Sequence, residues 1–296
     1  MKTVSTFNGA RELADGRVGL VPTMGYLHEG HLSLIETARS ENDTVVVSVF
    51  VNPMQFGQQK DLETYPRDAG RDSALASDAG ADIMFTPSVE HMYPFQHRTV
   101  VSVGTVAEGM EGAHRPGHFD GVATVVAKLF AGLQPDVAYF GRKDAQQLAV
   151  VRALVADLAF PVSVRGISTV READGLALSS RNVKIDETNR ATALSLSTSL
   201  MLVADAFEAG ERKSRVLRDI VRQSLALSQQ LAVDHVEVAR SADARTVDAI
   251  DAEAFVAVAG TVGGVRLIDN VTLDPSTGTA DRGTRLTRPS ILYGGS

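Results

Sequence analysis

Residues 18–31 of this 296-residue chain read VGLVPTMGYLHEGH, an apolar run of strand type followed by a glycine-containing loop and a helical pattern. When a strand leads through such a loop into a helix, the first N–H groups of the helix face the space where a polyphosphate binds. His28 and His31 stand at that helix start. The stretch therefore predicts a buried strand with a nucleotide site at its carboxyl end.

Strand and helix signals alternate through the first half of the chain. Short apolar or β-branched runs bounded by Pro, Gly or Asn lie at 18–22, 44–51, 81–86 and 135–140, as is typical of buried parallel strands. Apolar residues recur at intervals of three and four after Asp120 and after Asp144, which predicts helices there and makes Asp120 a candidate N-cap. We therefore expect an α/β protein with a Rossmann-like, doubly wound parallel sheet, whose ligands bind beyond the carboxyl ends of the strands.

The pattern changes after about residue 170. Two helices are predicted at 187–208 and 214–228, and three strands near 233–238, 254–259 and 265–271. The glycine-rich run 260–264 suits a hairpin between the last two strands, so this half predicts a smaller α+β domain with an antiparallel sheet. The predicted domains are 1–170, Rossmann-like and nucleotide-binding, 171–276, an α+β lid, and 277–296, a poorly ordered tail.

Composition limits the chemistry. The chain has no cysteine, so disulfides, thiolate metal sites and cysteine nucleophiles are excluded, and histidine and carboxylate must carry any reaction. The formal net charge of −7 argues against a nucleic-acid partner bound through a broad basic surface. Residues 1–9 lack a signal-peptide pattern and no apolar run approaches the ~20 residues of a membrane helix. We expect a cytoplasmic enzyme without a membrane partner.

The two histidines are the first candidates for chemistry. At a spacing of three on a helix that begins near Glu29, His28 and His31 would share one face at the positive end of the helix dipole. Imidazole N–H groups there could stabilise charge that grows on phosphate oxygens during transfer. The alternative is that one ring caps the helix and the other is a solvated surface residue. A zinc site is a further alternative, but zinc helices usually place histidines at i and i+4.

Two later segments are also candidates. Lys143, at the mouth of a strand, can reach phosphates as a mobile point charge, while Asp144 and Gln147 equally fit a helix capping box. The hydroxyls and guanidinium of residues 179–181 would make a small anion cradle on a mobile lid. The alternative for this second segment is a linker with a solvated arginine.

Eight sequence blocks together resemble one known family. They are VPTMG (21–25), HEGH (28–31), FVNPMQF (50–56), YPR (65–67), HFDGV (118–122), KDAQQ (143–147), SSRN (179–182) and RLIDN (266–270). In this order they resemble the pantoate–β-alanine ligases, members of the H-x-G-H nucleotidyltransferase superfamily, over about residues 1–275. The resemblance implies that ATP and (R)-pantoate form pantoyl adenylate and pyrophosphate, and that β-alanine then displaces AMP to give pantothenate. It also implies a homodimer.

The resemblance further implies roles for individual residues. ATP would contact Met24, Gly25, Tyr26, Leu27, His28, Glu29, Gly30, His31, Gly141, Arg142, Lys143, Asp144, Val170, Leu178, Ser179, Ser180 and Arg181. The catalytic groups would be His28, His31, Lys143, Ser179, Ser180 and Arg181, with His31 as proton donor. Pantoate and β-alanine would contact Thr23, Asn52, Gln55 and Gln147, and Asp72 is an additional candidate contact. Mg²⁺ would arrive with ATP, and no metal-binding residue is predicted.

Three positions depart from the family pattern. The family commonly has Glu or Gln at the position of Arg142, Met at that of Leu178, and a smaller residue at that of Tyr26.

The residues also leave other functions open. One is an H-x-G-H adenylyltransferase that moves AMP onto a small phosphate ester, which predicts a more basic acceptor pocket than Gln55 and Gln147 offer. A tRNA synthetase is disfavoured because the chain is acidic and lacks an anticodon-binding module. An idle nucleotide sensor would be expected to lack the histidines or the lysine.

Overall fold

The computed structural model describes residues 1–57, 59–96, 98–228 and 230–293. The chain divides into two compact units, one formed by Met1–Phe140 with Val150–Ile167 and the other by Gly141–Ala149 with Ser168–Ser296. The expected boundary near residue 170 lies close to Ile167. The assignment of Gly141–Ala149 to the second unit has no counterpart in the sequence pattern.

The first unit is built on a six-stranded sheet. Its strands are β1 (Lys2–Val4), β2 (Val18–Thr23), β3 (Thr44–Val49), β4 (Ile83–Phe85), β5 (Val137–Gly141) and β6 (Ser163–Ile167). The first helices of the chain are α1 (Phe7–Leu13), α2 (Glu29–Glu41), α3 (Gln59–Glu63), α4 (Ala69–Asp78), α5 (Val89–Met92), α6 (Met110–His114), α7 (His118–Leu133) and α8 (Ala145–Asp157), the last of which runs across the boundary between the units. The strand order is β1-β4-β3-β2-β5-β6.

The strand order confirms the doubly wound fold. From β2 the sheet grows through β3 and β4 in one direction, and β5 then pairs on the other side of β2. The pairs β1–β4, β3–β4, β2–β3 and β2–β5 are all parallel. β2 is therefore the switch point of the sheet, and in such folds the loop at its carboxyl end is where a ligand binds. The apolar run Val18–Val21 is buried throughout, as a central strand covered on both faces must be.

The helix predicted after Asp120 begins earlier than expected. Gly117 occupies the N-cap position with a left-handed φ of 77° and no side-chain cap, and α7 starts at His118. The prediction that Asp120 caps α7 is therefore wrong. Its carboxylate lies instead in the first helical turn, where a negative charge is still favourable to the helix dipole.

The second unit contains an antiparallel sheet and two helices. Its elements are β7 (Val170–Arg171), α9 (Glu187–Glu208), α10 (Ser214–Leu225), β8 (Ala232–Arg240), β9 (Ala254–Val262), β10 (Val265–Asp274), β11 (Thr279–Asp281) and β12 (Thr284–Arg285). The four-stranded order is β11-β10-β9-β8, and β12 pairs with β7 in a separate two-stranded ribbon. Gly263 and Gly264, with φ of 56° and 75°, form the tight turn of the β9–β10 hairpin. The antiparallel sheet and the two helices confirm the α+β fold that was predicted for the smaller domain.

Residues 277–293 contain regular structure where poor order was expected for 277–296, and residues 294–296 lie outside the described residues. β11 and β12 both lie after residue 276, and Ser290 and Leu292 beyond them are buried. β11 forms a hairpin with the preceding strand β10, and β12 pairs with the distant β7; both strands are too short to give a periodic pattern in the sequence. Among the helices of the described residues, none combines the length and apolar character needed to span a bilayer.

Candidate active site

The histidine pair forms the N-terminal cap of α2. Nδ1 of His28 accepts the N–H of Gly30 at 3.2 Å, and Nδ1 of His31 accepts the N–H of His28 at 3.3 Å. The two rings lie with centroids 4.1 Å apart, as expected for a shared face. A ring nitrogen that accepts a hydrogen bond carries no proton, so each neutral ring holds its proton on Nε2. Both rings therefore take part in the cap, whereas the alternative had one capping ring and one solvated ring.

The loop between β2 and α2 is held by Asp72. This carboxylate is 1% exposed, and its oxygens accept the N–H groups of Tyr26 at 2.8 Å and Leu27 at 2.7 Å. Gly25 is required beside it, because its φ is +79° and a Cβ there would lie 2.8 Å from Asp72 Oδ2. The contacts of Asp72 are thus with the loop backbone, which makes it a positioning residue for that loop.

Tyr26, one of the departures from the family pattern, has a left-handed φ of 52°. The guanidinium of Arg71 lies 5.3 Å from the centroid of its ring, and Arg71 Nη1 donates to the Leu27 carbonyl at 2.7 Å. This cation–π contact and hydrogen bond fix the ring and the loop together.

Asn52 has a structural role that differs from the expected substrate contact. Its Nδ2 donates to Gln55 Oε1 and to the Gly121 carbonyl, both at 3.0 Å. Its Oδ1 accepts the Tyr93 hydroxyl at 2.7 Å and the Met54 N–H at 3.3 Å. Both amide hydrogens and both lone pairs are therefore used inside the protein, and the residue is 1% exposed. Burial raises the pKa of Tyr93, so the phenol stays protonated and donates.

Thr23 likewise makes structural contacts, and its contact with substrate stays a prediction. Its hydroxyl donates to the Ser48 carbonyl at 2.8 Å and accepts the N–H of Gly25 at 3.2 Å, and the residue is buried. The hydroxyl therefore ties the end of β2 to β3 and shapes the following loop. Residue type alone does not distinguish this role from substrate binding.

Gln55 remains a candidate for substrate binding. Its Nε2 contacts Met24 Sδ at 3.2 Å, which brings it to the loop that leads to the histidines. Its carbonyl accepts Nδ1–H of His118 at 3.0 Å, and Arg115 Nη1 donates to Nε2 of that ring at 3.0 Å. The backbone of Gln55 is thus fixed by Arg115 and His118, for which the sequence predicts no role, and its side chain contacts Met24 and Asn52. The only sequence signal for His118 is its place in the HFDGV block.

In the second unit, hydrogen bonds to two of its backbone carbonyls hold the segment Gly141–Asp144 in place. Asn270 Nδ2 donates to the Arg142 carbonyl at 2.9 Å and to the Lys143 carbonyl at 2.7 Å. The adjacent Asp269 forms a bidentate ion pair with Arg171, at 2.6 and 3.0 Å, with both side chains about 97–98% buried. The RLIDN block therefore positions the lysine segment, a role that the sequence alone does not reveal.

Arg142 faces two carboxylates. Its Nη1 lies 3.7 Å from Glu253 Oε2 and 3.7 Å from Asp281 Oδ2. The extra positive charge at this position is therefore partly balanced within the same unit.

A small opening in the second unit brings the remaining cationic candidates together. It is lined by Lys143, Ser179 and Arg181, and also by Arg266 and Asp269. Ser179 caps the short 3₁₀ helix Ser180–Lys184 by accepting the Arg181 N–H at 3.3 Å. Arg266 is paired with Asp234 at 2.7 Å, which leaves Lys143, Arg181 and the Ser179 hydroxyl as the groups at this opening that suit phosphate.

The other predicted residues lie near these groups within their own units. Leu178 is buried, and its N–H donates to the Val170 carbonyl at 2.9 Å. Gln147 is half-buried on α8 in the second unit, as Lys143 is in the segment before it. Glu29 and Gly30 form the first turn of α2.

Comparison with known proteins identifies the family. A family model described as pantoate-beta-alanine ligase matches residues 1–272. The pantothenate synthetase of Heliobacterium modesticaldum is 50% identical over 267 residues, covering 90% of this chain and 95% of that protein. The crystal structure of pantothenate synthetase from Thermus thermophilus has 48% identity and a TM-score of 0.86, covering 91% of this chain and 98% of that one.

A second solved structure is that of pantoate-beta-alanine ligase from Francisella tularensis complexed with beta-gamma ATP and beta-alanine. It is 30% identical, has a TM-score of 0.71, and covers 91% of this chain and 97% of that one. The resemblance of the eight sequence blocks is thereby confirmed. This chain belongs to the pantoate–β-alanine ligase family.

Proposed function

We propose that this chain joins (R)-pantoate to β-alanine with ATP, giving pantothenate, AMP and pyrophosphate through pantoyl adenylate. Family membership supports the overall reaction, and the Nε2–H histidine pair at the start of α2 is the observation that carries the assignment to adenylyl transfer. A carboxylate is a poor acyl donor, so its conversion to a mixed anhydride with AMP supplies a good leaving group.

The two steps balance without an enzyme-bound covalent intermediate. A pantoate carboxylate oxygen attacks the α-phosphorus of ATP, and the bond to pyrophosphate breaks. The amine of β-alanine then attacks the acyl carbon, loses a proton, and displaces AMP. The AMP keeps the carboxylate oxygen that attacked the α-phosphorus in the first step. The absence of cysteine from the chain is therefore no obstacle.

The first unit would supply donors to the phosphates and a polar group for pantoate. His28 and His31 would donate from Nε2 to phosphate oxygens as negative charge grows on them, with His31 as the proton donor. Gln55 would bind a hydroxyl or the carboxylate of pantoate, since an amide offers both a donor and an acceptor without charge. Thr23, Asn52 and Asp72 would act through the backbone and side chains that they position.

The second unit would supply the positively charged groups that contact the phosphates of ATP. Lys143 and Arg181 would neutralise phosphate charge, with Ser179 and Ser180 adding hydroxyl donors. Lys143, Ser179 and Arg181 line one opening of the second unit, which supports this assignment. Val170 and Leu178 would contact the nucleotide through the backbone, and Gln147 would bind pantoate. The roles of Gly141, Arg142 and Asp144 toward ATP also stay predictions.

Mg²⁺ is proposed to enter with ATP. Within the described ranges, no group of three or more His, Cys, Asp or Glu side chains lies together as a protein-built metal site requires. This suits an ion that is held mostly by phosphates and water, which is the usual habit of Mg²⁺ at nucleotide sites. When bound, the ion would neutralise phosphate charge. A homodimer and a cytoplasmic location also stay predictions.

The proposal is tested by the dependence of product formation on each substrate. The protein with MgATP and pantoate should release about one pyrophosphate per active site, and addition of β-alanine should start continuous release of AMP and pantothenate. A parallel reaction replaces pantoate with a phosphate monoester such as glycerol 3-phosphate, which should release none. AMP or pyrophosphate formation that does not depend on pantoate, or that is faster with the phosphate ester, would contradict the ligase assignment.

A further inference from the structure

The residues after β10 form a segment that runs back to the groups assigned to ATP. We call residues 275–293 the C-terminal strap, and they lie beyond residue 272, where the family match ends. Within the strap, β11 pairs with β10, and Arg282 forms ion pairs with Asp205 at 2.8 Å and Glu208 at 2.6 Å on α9. The strap is therefore anchored on the second unit through both a strand and a helix.

Beyond this anchor the strap supports the segment that contains Val170. β12 pairs in parallel with β7, and the Thr284 N–H donates to the Thr169 carbonyl at 2.8 Å. Gly283 permits this close approach, because its φ is +80° and a Cβ there would collide with the Thr169 carbonyl oxygen. The Val170 carbonyl in turn accepts the N–H of Leu178. The strap thus supports the chain just before the Ser179–Arg181 turn.

The last described residue of the strap reaches that turn through a shared carboxylate. The Tyr293 hydroxyl donates to Glu172 Oε1 at 3.0 Å, and the same oxygen accepts Nδ2 of Asn182 at 2.6 Å. Asn182 is 1% exposed, and its N–H donates to the Ser179 carbonyl at 2.9 Å. Burial, with the adjacent Glu172 carboxylate, raises the pKa of Tyr293 to about 12, so the phenol keeps its proton and acts as donor at neutral pH.

We propose that Tyr293 is a positioning residue for ATP, which through Glu172 fixes Asn182 and thereby holds the Ser179–Arg181 turn in its phosphate-binding form. This inference rests on the proposed assignment of that turn to ATP. Arg190 Nη2 donates to Glu172 Oε2 at 2.7 Å, and its Nη1 donates to the Tyr293 hydroxyl at 3.3 Å and to Oε1 at 3.5 Å, so the phenol and the guanidinium hold the carboxylate together. Loss of the phenol removes one of these two restraints, and the hydrogen bond to Asn182 loses its fixed acceptor.

The test is the affinity of the Tyr293→Phe variant for β,γ-methylene ATP, measured by titration calorimetry. Tyr293→Phe removes only the hydroxyl, and we expect the Kd to rise about fivefold or more. In turnover assays the KM for ATP should rise while the KM for pantoate stays unchanged. In an Asn182→Ala background, Tyr293→Phe should have no further effect, because the path to the turn is already broken.

Tyr139→Phe is the matched control. The Tyr139 hydroxyl also donates to a carboxylate, Glu41 at 2.8 Å, but in the core of the first unit. Its loss should lower the melting temperature and leave the analogue affinity unchanged. The proposal is overturned if Tyr293→Phe binds the analogue like the parent chain, or if it loses the same affinity in the Asn182→Ala background. Analogue binding needs no turnover, so a chain that binds the analogue but makes no adenylate would count against the ligase assignment alone.

Discussion

Replacement of His31 by alanine should slow pantoate-dependent pyrophosphate release by about 10²-fold or more in a single turnover. His31 accepts a backbone N–H at Nδ1, so in the neutral ring Nε2 is the nitrogen that carries the proton. A donor fixed in this way stabilises the charge that develops on the phosphates, and alanine offers none. Rapid-quench measurement without β-alanine isolates this step from the second half-reaction.

The control for His31→Ala is Glu36→Ala, an exposed residue farther along the same helix. Because His31 also belongs to the capping box, its loss should cost about 1 kcal/mol of stability, which a melting curve measures separately. A folded His31→Ala protein with an unchanged single-turnover rate would remove His31 from the mechanism. Glu36→Ala should retain the parental rate.

Replacement of Asp269 by alanine should lower the free energy of unfolding by about 3–5 kcal/mol. Arg171 would remain buried with only carbonyl partners, the carbonyls of Gly175, Asn270 and Arg282, for its charge. Truncation of one member of a buried, bidentate pair leaves the other charge uncompensated, which is the costly case. Urea unfolding followed by circular dichroism measures the change.

Asp243→Ala supplies the comparison for Asp269→Ala. Asp243 pairs with Arg240 and Arg245 at 3.5 and 3.9 Å on the surface of the same unit, so its loss should change the unfolding free energy by less than about 1 kcal/mol. If both alanine variants unfold at the same urea concentration as the parent, the Arg171–Asp269 pair does not hold the second unit together.

Much of the fold could be predicted because its signals are local. The central strands are recognisable in the sequence as apolar runs. The sequence also indicates α9, and Gly263 and Gly264 mark the β9–β10 hairpin. The C-terminal strap could not be predicted, since β11 and β12 are only three and two residues long and β12 depends on pairing with the distant β7. Gly117 similarly decides where α7 begins through its backbone conformation.

The sequence predicts which residue types form the candidate site better than it predicts what each residue does. The sequence singled out His28 and His31, but the use of Nδ1 for capping and Nε2 for the ligand side depends on hydrogen-bond geometry. Asn52 was expected to bind substrate because neutral polar residues suit a polyol acid, yet its amide is fully used by the protein. Asp72 and His118 act on the backbone of neighbouring loops, an action that no motif encodes.

The central claim is that AMP leaves with an oxygen atom that came from pantoate. Pantoate labelled with ¹⁸O in its carboxylate, incubated with the protein, MgATP and β-alanine, tests this directly by mass spectrometry of the AMP. Attack of the carboxylate on the α-phosphorus predicts one ¹⁸O atom in each AMP phosphate and none in pyrophosphate. Unlabelled AMP, or label that appears in inorganic phosphate alongside ADP, would contradict a pantoyl adenylate and with it the role assigned to the histidine pair.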